Sequence, residues 1–137
     1  MPLDTLLKEL GNLKLPEDSY VITASGPLAA HNIREAQDLD VVVTEELWKK
    51  LTKKYSVKKG AFETIDIGNI QILGEGSIYN TKDICSVKEQ IATADIIKGH
   101  RFTNLPNVKK VKQVLGRPKD LKDIELIDNY LNSIQNT

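Results

Sequence analysis

The sequence predicts a mixed α/β (α+β) domain, a small mixed β-sheet flanked by helices and ending in a helical C-terminal part. Three observations lead there. Short β-branched runs alternate with stretches of helical periodicity through the first third of the chain. The segment "AFETIDIGNIQILG", residues 61–74, then alternates apolar and polar residues on either side of a Gly-Asn pair, as a hairpin does. From about residue 105 onward the apolar residues recur at helical spacing.

Taken in order, Leu3, Leu6, Leu7 and Leu10 fall on one side of a first helix, with Gly11 as its stop. Residues 20–24, "YVITA", form a strand bounded by Asp18 and Gly26. "PLAAHNIREAQ" reads as a helix with Pro27 at its first position, where a missing N–H costs nothing. "LDVVV" is a second strand. Thr44 caps the next helix, Glu45 and Glu46 suit its positive end, and Leu47, Trp48 and Leu51 form its apolar side. Lys49, Lys50, Lys53 and Lys54 crowd its negative end. The hairpin turns at Gly68-Asn69, and "GEGSIYN", residues 74–80, is a loop. Ser86 and Glu89 have capping-box spacing, so a short helix starts at Val87. Asn107, after Pro106, caps a segment reaching about Leu115, and "GRP" breaks it. A last helix over residues 119–133 carries Leu121, Ile124, Ile127, Leu131 and Ile134 on one side. No repeat, low-complexity tract or linker divides the chain, so residues 1–137 are expected to form one domain.

Composition narrows the function classes. A chain of 137 residues can bury a real core, and 40% hydrophobic with 28% charged residues is ordinary for a globular protein. Nineteen basic and nineteen acidic residues give zero net charge, which excludes nucleic-acid binding through whole-molecule charge and leaves room for a local patch. A single cysteine, Cys85, excludes an intramolecular disulfide and a cysteine zinc cluster. His31 and His100 are isolated, and with Cys85 they are assigned to packing or surface. Aromatics make up 5%, little support for stacked-base recognition. "MPLDTLLKEL" is too charged for a secretory signal, and no apolar run approaches membrane-spanning length. A cytoplasmic, non-membrane protein is expected.

The stretch that carries chemistry is "ITASGPLAAHNIREAQDLDVVV", residues 22–43. Residues i and i+2 of a strand point to the same face about 7 Å apart, so Asp38 and Asp40 project together while Leu39 turns to the core. Two adjacent carboxylates repel, and each raises the cost of ionising the other. Mg²⁺ resolves that conflict, because it binds through one or two carboxylates completed by water and substrate phosphates. The Ser25-Gly26 turn precedes a helix start, where backbone N–H groups cradle phosphate and glycine permits close approach. The plain alternative is two solvated carboxylates beside an ordinary turn. Arg34 can pair with the aspartates, with a phosphate, or with a surface carboxylate. Lys109, Lys110, Lys112, Arg117, Lys119 and Lys122 concentrate positive charge, suited to a triphosphate or an RNA backbone, or to a solvated helix face. Lys119-Asp120 can also tie the last helix to the sheet.

The combination of strand, glycine turn, helix and Asp-hydrophobic-Asp resembles the nucleotidyltransferase superfamily related to polymerase β, in its small single-domain form. Gly26 opens the pattern, residues 28–37 make the ten-residue interval, and Asp38-Leu39-Asp40-Val41 completes it. Pro27 stands where the pattern has Ser or Gly. "LGRPKDLKDIELID", residues 115–128, is also similar to the end of one branch of these proteins. The resemblance implies a nucleotidyltransferase-like fold and Mg²⁺-dependent transfer of a nucleoside monophosphate from a nucleoside triphosphate such as ATP to an acceptor hydroxyl. It implies Asp38 and Asp40 as metal ligands, with Ser25, Gly26 and Arg34 at the phosphates. A third carboxylate that ligates the metal or acts as base falls on Asp66, the preferred candidate, or its place is held by Gln71. Strand register decides between them. The acceptor is a small molecule, a protein side chain or an RNA end, and a homodimer or partner chain is expected to complete so small a site. The rival reading, favoured by Pro27 and Gln71, is a catalytically inactive binding or regulatory module on the same fold. A plain α/β scaffold is the third.

Overall fold

Val21, Ile22, Val41, Val42 and Val43 are completely buried, so their two β-branched runs become the centre of a sheet rather than one of its edges. The computed structural model describes residues 2–77 and 84–135, so residues 78–80 of the anticipated "GEGSIYN" loop lie outside the described residues. Within them the elements run α1 (Leu3–Gly11), β1 (Tyr20–Thr23), α2 (Ser25–Ala30), β2 (Leu39–Val43), α3 (Glu45–Thr52), β3 (Thr64–Ile67), β4 (Ile70–Leu73), α4 (Val87–Ala92), β5 (Asp95–Ile97), β6 (His100–Phe102), α5 (Leu105–Leu115) and α6 (Pro118–Gln135). A 3₁₀ turn over Glu17–Ser19 leads into β1.

The sheet order is β3-β4-β2-β1-β6-β5. The central pair β1–β2 is antiparallel, while β4 joins β2 and β6 joins β1 in parallel. Alternation along β2 divides the layers. Leu39, Val41 and Val43 face α1 and α3, and with Leu6, Leu10, Leu47, Ile65, Ile70 and Ile72 they form the main core. Each such side chain contributes about 2 kcal/mol through burial. Val42 points to the other face, where it packs with Val21, Leu73 and Val87 of α4. A third cluster, Leu28, Leu105, Val108 and Ile127, joins α2 to α5 and α6. Among the described residues no helix is long and apolar enough to cross a membrane.

Several boundaries differ from the sequence reading. Helix α2 starts at Ser25, so Pro27 is its third residue, still among the N–H groups that need no helical partner. It ends at Ala30 rather than continuing to residue 37, because Asn32 turns at φ +58° and the Ile33 N–H closes onto Leu28 O at 2.9 Å. Helix α5 is capped by Asn104, whose side chain accepts from Asn107 N at 2.9 Å, and not by Asn107. On α6 the apolar stripe is narrower than its sequence suggests. Ile127 is buried, but Leu121 is 58% and Ile134 51% exposed. The hairpin β5–β6 was not anticipated, because its strands are three residues long and its turn, Lys98-Gly99, places a lysine at φ +52° where Asn or Gly is the usual signal. The caps at Thr44 and Ser86 are as expected, accepting from Leu47 N at 3.3 Å and Glu89 N at 3.1 Å.

The β3–β4 turn is held from outside. Gly68 sits at φ +58°, and a Cβ there would overlap the Glu9 carboxylate. That carboxylate accepts from Asn69 N at 2.9 Å and from Asn69 Nδ2 at 3.2 Å, which pins the hairpin to α1. Gly68→Ala is therefore expected to lower stability by about 2 kcal/mol in urea unfolding. In a Glu9→Ala background the same change is expected to have a smaller effect, because only the backbone strain remains. Equal effects in both backgrounds would remove the contact with Glu9 from the account.

Candidate functional site

The register of four strands lays Thr23, Asp40, Gln71 and Asp66 in one row across the sheet, each paired with the next. Side chains of directly paired residues share a face, and neighbouring strands stand about 4.8 Å apart. Asp40 therefore has Gln71 beside it, and Asp66 lies two strands away on the edge strand, about 10 Å across the sheet. This decides the place expected for a third carboxylate: the neighbour of the aspartate pair is the amide of Gln71. Asp66 is 3.8 Å from Lys58 Nζ and does not line the cleft that the pair faces. Asp66 and Gln71 pair directly across the hairpin and so share one face. Which of its two strands would lie against β2 is a matter of chain topology.

Asp38, one residue before β2, and Asp40 open together into a cleft of about 450 Å³ between this end of the sheet and the helices α5 and α6. Gln71, Ser25 and Arg34 line the sheet side, and Lys112, Lys119 and Lys122 the helix side. Neither Asp38 nor Asp40 makes a hydrogen bond or ion pair among the described residues. Burial, and then the charge of Asp38, pushes the Asp40 carboxyl up to about 6, against an opposing pull from Lys112 and Lys119 and with a smaller push from Asp66.

The cations around the cleft differ in availability. Arg34 is engaged: Nε and Nη2 donate to the two oxygens of Asp123 at 2.8 and 2.7 Å, Nη2 also to Ser25 Oγ at 2.9 Å, and Nη1 to the Glu35 carbonyl at 2.9 Å. Lys112, 8% exposed at its side chain, lies 2.9 Å from Asp123 and 3.7 Å from Asp120. Arg117 closes on Asp120 at 2.6 Å through Nε and donates its backbone N–H to the same oxygen at 3.2 Å. Burial alone would raise both carboxyls. Hydrogen bonds from Arg117 to Asp120, and from Arg34 and Lys112 to Asp123, outweigh it and hold both below the usual range. Lys119 and Lys122 are exposed and have no acidic partner among the described residues. Of the partners open to Arg34, the structure supplies a carboxylate, Asp123, and Asp120 and Asp123 of "GRPKDLKD" are buried anchors.

Ser25 and Gly26 also separate. Ala24, between β1 and α2, adopts φ +59°, ψ −116°, a conformation that costs a non-glycine residue about 1–3 kcal/mol. This sharp bend delivers Ser25 to the cleft wall. Gly26 is buried away from the cleft. A Cβ there would overlap Ile22 Cγ2 and touch Leu39 Cδ2 at 3.4 Å, so its small size serves the packing of α2 on the sheet rather than close approach of a phosphate. The remaining candidates are packing residues. His31 Nδ1 meets Tyr130 Oη at 3.4 Å, His100 Nδ1 meets Tyr20 Oη at 2.9 Å, and Cys85 is buried with its thiol pushed up to about 11 by that burial.

Among the described residues no group of three or more His, Cys, Asp or Glu side chains converges as a metal site. Two carboxylates lining one cleft, unpartnered among the described residues, nonetheless fit Mg²⁺, whose shell is otherwise filled by water and phosphate oxygens. The donor set fits a phosphate-bound ion better than one held by protein alone.

Two outcomes follow from this geometry. Gly26→Ala is expected to destabilise the fold by about 2 kcal/mol in urea unfolding, through overpacking against Ile22. Asp40 titrates near 6 when folded and near 4 when unfolded, so the folded state holds its proton more tightly and loses stability as pH rises through that window. Asp40→Asn is expected to be more stable than the natural chain by about 2 kcal/mol at pH 7.5, with the gain vanishing near pH 4. Thermal unfolding across that range checks it. An Asn variant less stable at every pH would show that the carboxylate supports the fold.

No protein-family model matches the chain, and a search of curated proteins finds no significant match.

Proposed function

We propose that the cleft binds a Mg²⁺–nucleoside triphosphate and passes the nucleoside monophosphate to an acceptor hydroxyl, in a nucleotidyltransferase-like fold. One observation carries this reading. Asp38 and Asp40, without hydrogen-bond or ion-pair partners among the described residues, open into the same cleft as Lys119 and Lys122, which have no acidic partner among them either. A phosphate-bound divalent cation satisfies both sides at once, since the ion takes the carboxylates and the phosphates take the ammonium groups. When bound, Mg²⁺ would offset phosphate charge and polarise a phosphoryl oxygen.

This chain's own residues would do the rest by position. Asp38 and Asp40 hold the ion. Lys119 and Lys122 bind the phosphate tail as point charges. Ser25 Oγ accepts from Arg34, which leaves its own proton to donate to a phosphate oxygen, and Asp123 fixes the guanidinium that orients it. Charge neutralisation and orientation are the main sources of rate in phosphoryl chemistry. The open cleft has room for an acceptor of any of three kinds: small molecule, protein side chain or RNA end. A second copy or a partner chain would supply the acceptor side, and a cytoplasmic setting supplies ATP and Mg²⁺.

A second reading rests on Gln71. A neutral amide beside Asp40 leaves the site one negative charge short of a carboxylate triad and offers no base there. That favours a catalytically inactive nucleotide-binding or regulatory module. Titration calorimetry with Mg²⁺–ATP, paired with a pyrophosphate-release assay, separates the two. Both readings expect binding that Asp38→Asn or Asp40→Asn weakens at least tenfold and that Lys119→Ala with Lys122→Ala weakens by about tenfold, or ~1.4 kcal/mol. Pyrophosphate release with an acceptor supports the enzyme, and binding without it supports the module. No Mg²⁺-dependent binding would leave the aspartates as solvated surface groups.

A further inference from the structure

Residues 47–62 hold six lysines and no acidic residue, in a chain whose net charge is zero. The rest of the chain therefore carries six more acidic than basic residues, so the positive charge is concentrated here. Lys49, Lys50, Lys53, Lys54, Lys58 and Lys59 are all exposed. Two have distant acidic neighbours, Lys49 at 3.6 Å from Glu45 and Lys58 at 3.8 Å from Asp66. Lys50, Lys53, Lys54 and Lys59 have no acidic partner among the described residues. The first four lysines fall within about 8 Å of helix axis, so their charges repel one another unless an anion lies across them.

Their path matters as much as their number. Helix α3 packs through Leu47 and Leu51 on the sheet face opposite Asp40. The chain beyond it bridges to the sheet edge, where Lys58 N donates to Thr64 O at 2.7 Å. Lys58 Nζ then reaches Asp66, which stands on the Asp40 face in the row that continues to Gln71. The lysines thus form a ridge that passes from α3 around the β3 edge toward the cleft.

We propose that this ridge binds the phosphate backbone of a single-stranded nucleic acid. A string of exposed, unpaired ammonium groups matches a polymer of phosphates. Phe62, 38% exposed, follows the lysines and offers one aromatic face to an unpaired base, whereas Tyr55 is half-buried against the core with Lys54 Nζ 5.4 Å from its ring centroid, so phosphate contacts rather than stacking carry the binding. An anionic membrane is the poorer fit. The leucines of α3 are buried, and Phe62 is the only large apolar residue of this segment exposed among the described residues, so no apolar face is available to enter a bilayer. This surface is separate from the carboxylate cleft and does not depend on the activity proposed there.

Fluorescence anisotropy with labelled single-stranded RNA, and with DNA of the same sequence, tests it across a salt series. Binding to either strand is expected, with log K falling against log salt at a slope of about −3, the value for four contacted phosphates. Lys50→Gln with Lys53→Gln should halve that slope and weaken binding at least tenfold at low salt, while circular dichroism shows the fold retained. Asp38→Asn with Asp40→Asn should bind nucleic acid as the natural chain does, so failure of the cleft reading leaves this result untouched. Absence of salt-dependent binding, or a slope unchanged in the double-glutamine variant, would overturn the proposal. So would binding to phosphatidylserine vesicles under conditions where neither strand binds.

Discussion

Asp123 accepts from two elements at once, Arg34 in the irregular segment after α2 and Lys112 on α5, while its own backbone belongs to α6. Its side chain is 8% exposed, and water cannot replace either partner without opening the cluster. Removing one member of such a buried pair leaves an uncompensated charge and costs about 3–5 kcal/mol. Asp120, completely buried, adds Arg117 and a second approach to Lys112. Through these two carboxylates three separate pieces of chain are fixed around one space. That space is the cleft, and the apolar cluster of Leu28, Leu105, Val108 and Ile127 joins the same helices, α5 and α6, to α2.

The same arrangement sorts charge by accessibility. Acids and bases that can pair do so inside the wall. Among the described residues, the charges left unpaired toward the cleft are Asp38 and Asp40 on the sheet side and Lys119 and Lys122 on the helix side. Lys112 is intermediate, committed to Asp123 yet close enough to draw the Asp40 carboxyl downward. Opposed charges left apart across a space destabilise a fold relative to the same charges paired. Their persistence at one end of the sheet, beside a backbone held at an unfavourable φ in Ala24, supports the proposal that the cleft takes a ligand.

Much of this was legible in the sequence, and the reasons are local. The valine runs, the Gly-Asn turn, the caps at Thr44 and Ser86 and the i, i+2 spacing of Asp38 and Asp40 are short-range signals, each decided within a few residues. What was not legible required knowing which elements meet. Gln71 rather than Asp66 neighbours Asp40 because β4, the second strand of the hairpin, is the one that docks on β2. Arg34 is engaged because α6, nearly ninety residues later, brings Asp123 to it. Gly26 was assigned to ligand approach from its place in a turn before a helix and from the resemblance, while the Ile22 methyl against it belongs to packing. The β5–β6 hairpin escaped because strands of three residues carry too little alternation to register.

The clasp between Glu9 and Asn69 has a consequence far from where it sits. Asn69 O also accepts from Leu39 N at 3.0 Å, so the hairpin tip is fixed to α1 and to the start of β2 together. Displacing β4 by a single position would bury an amide among the leucines and set an isoleucine next to Asp40. A carboxylate on the far layer of the molecule thereby determines whether the floor of the cleft is polar or greasy, without ever touching it.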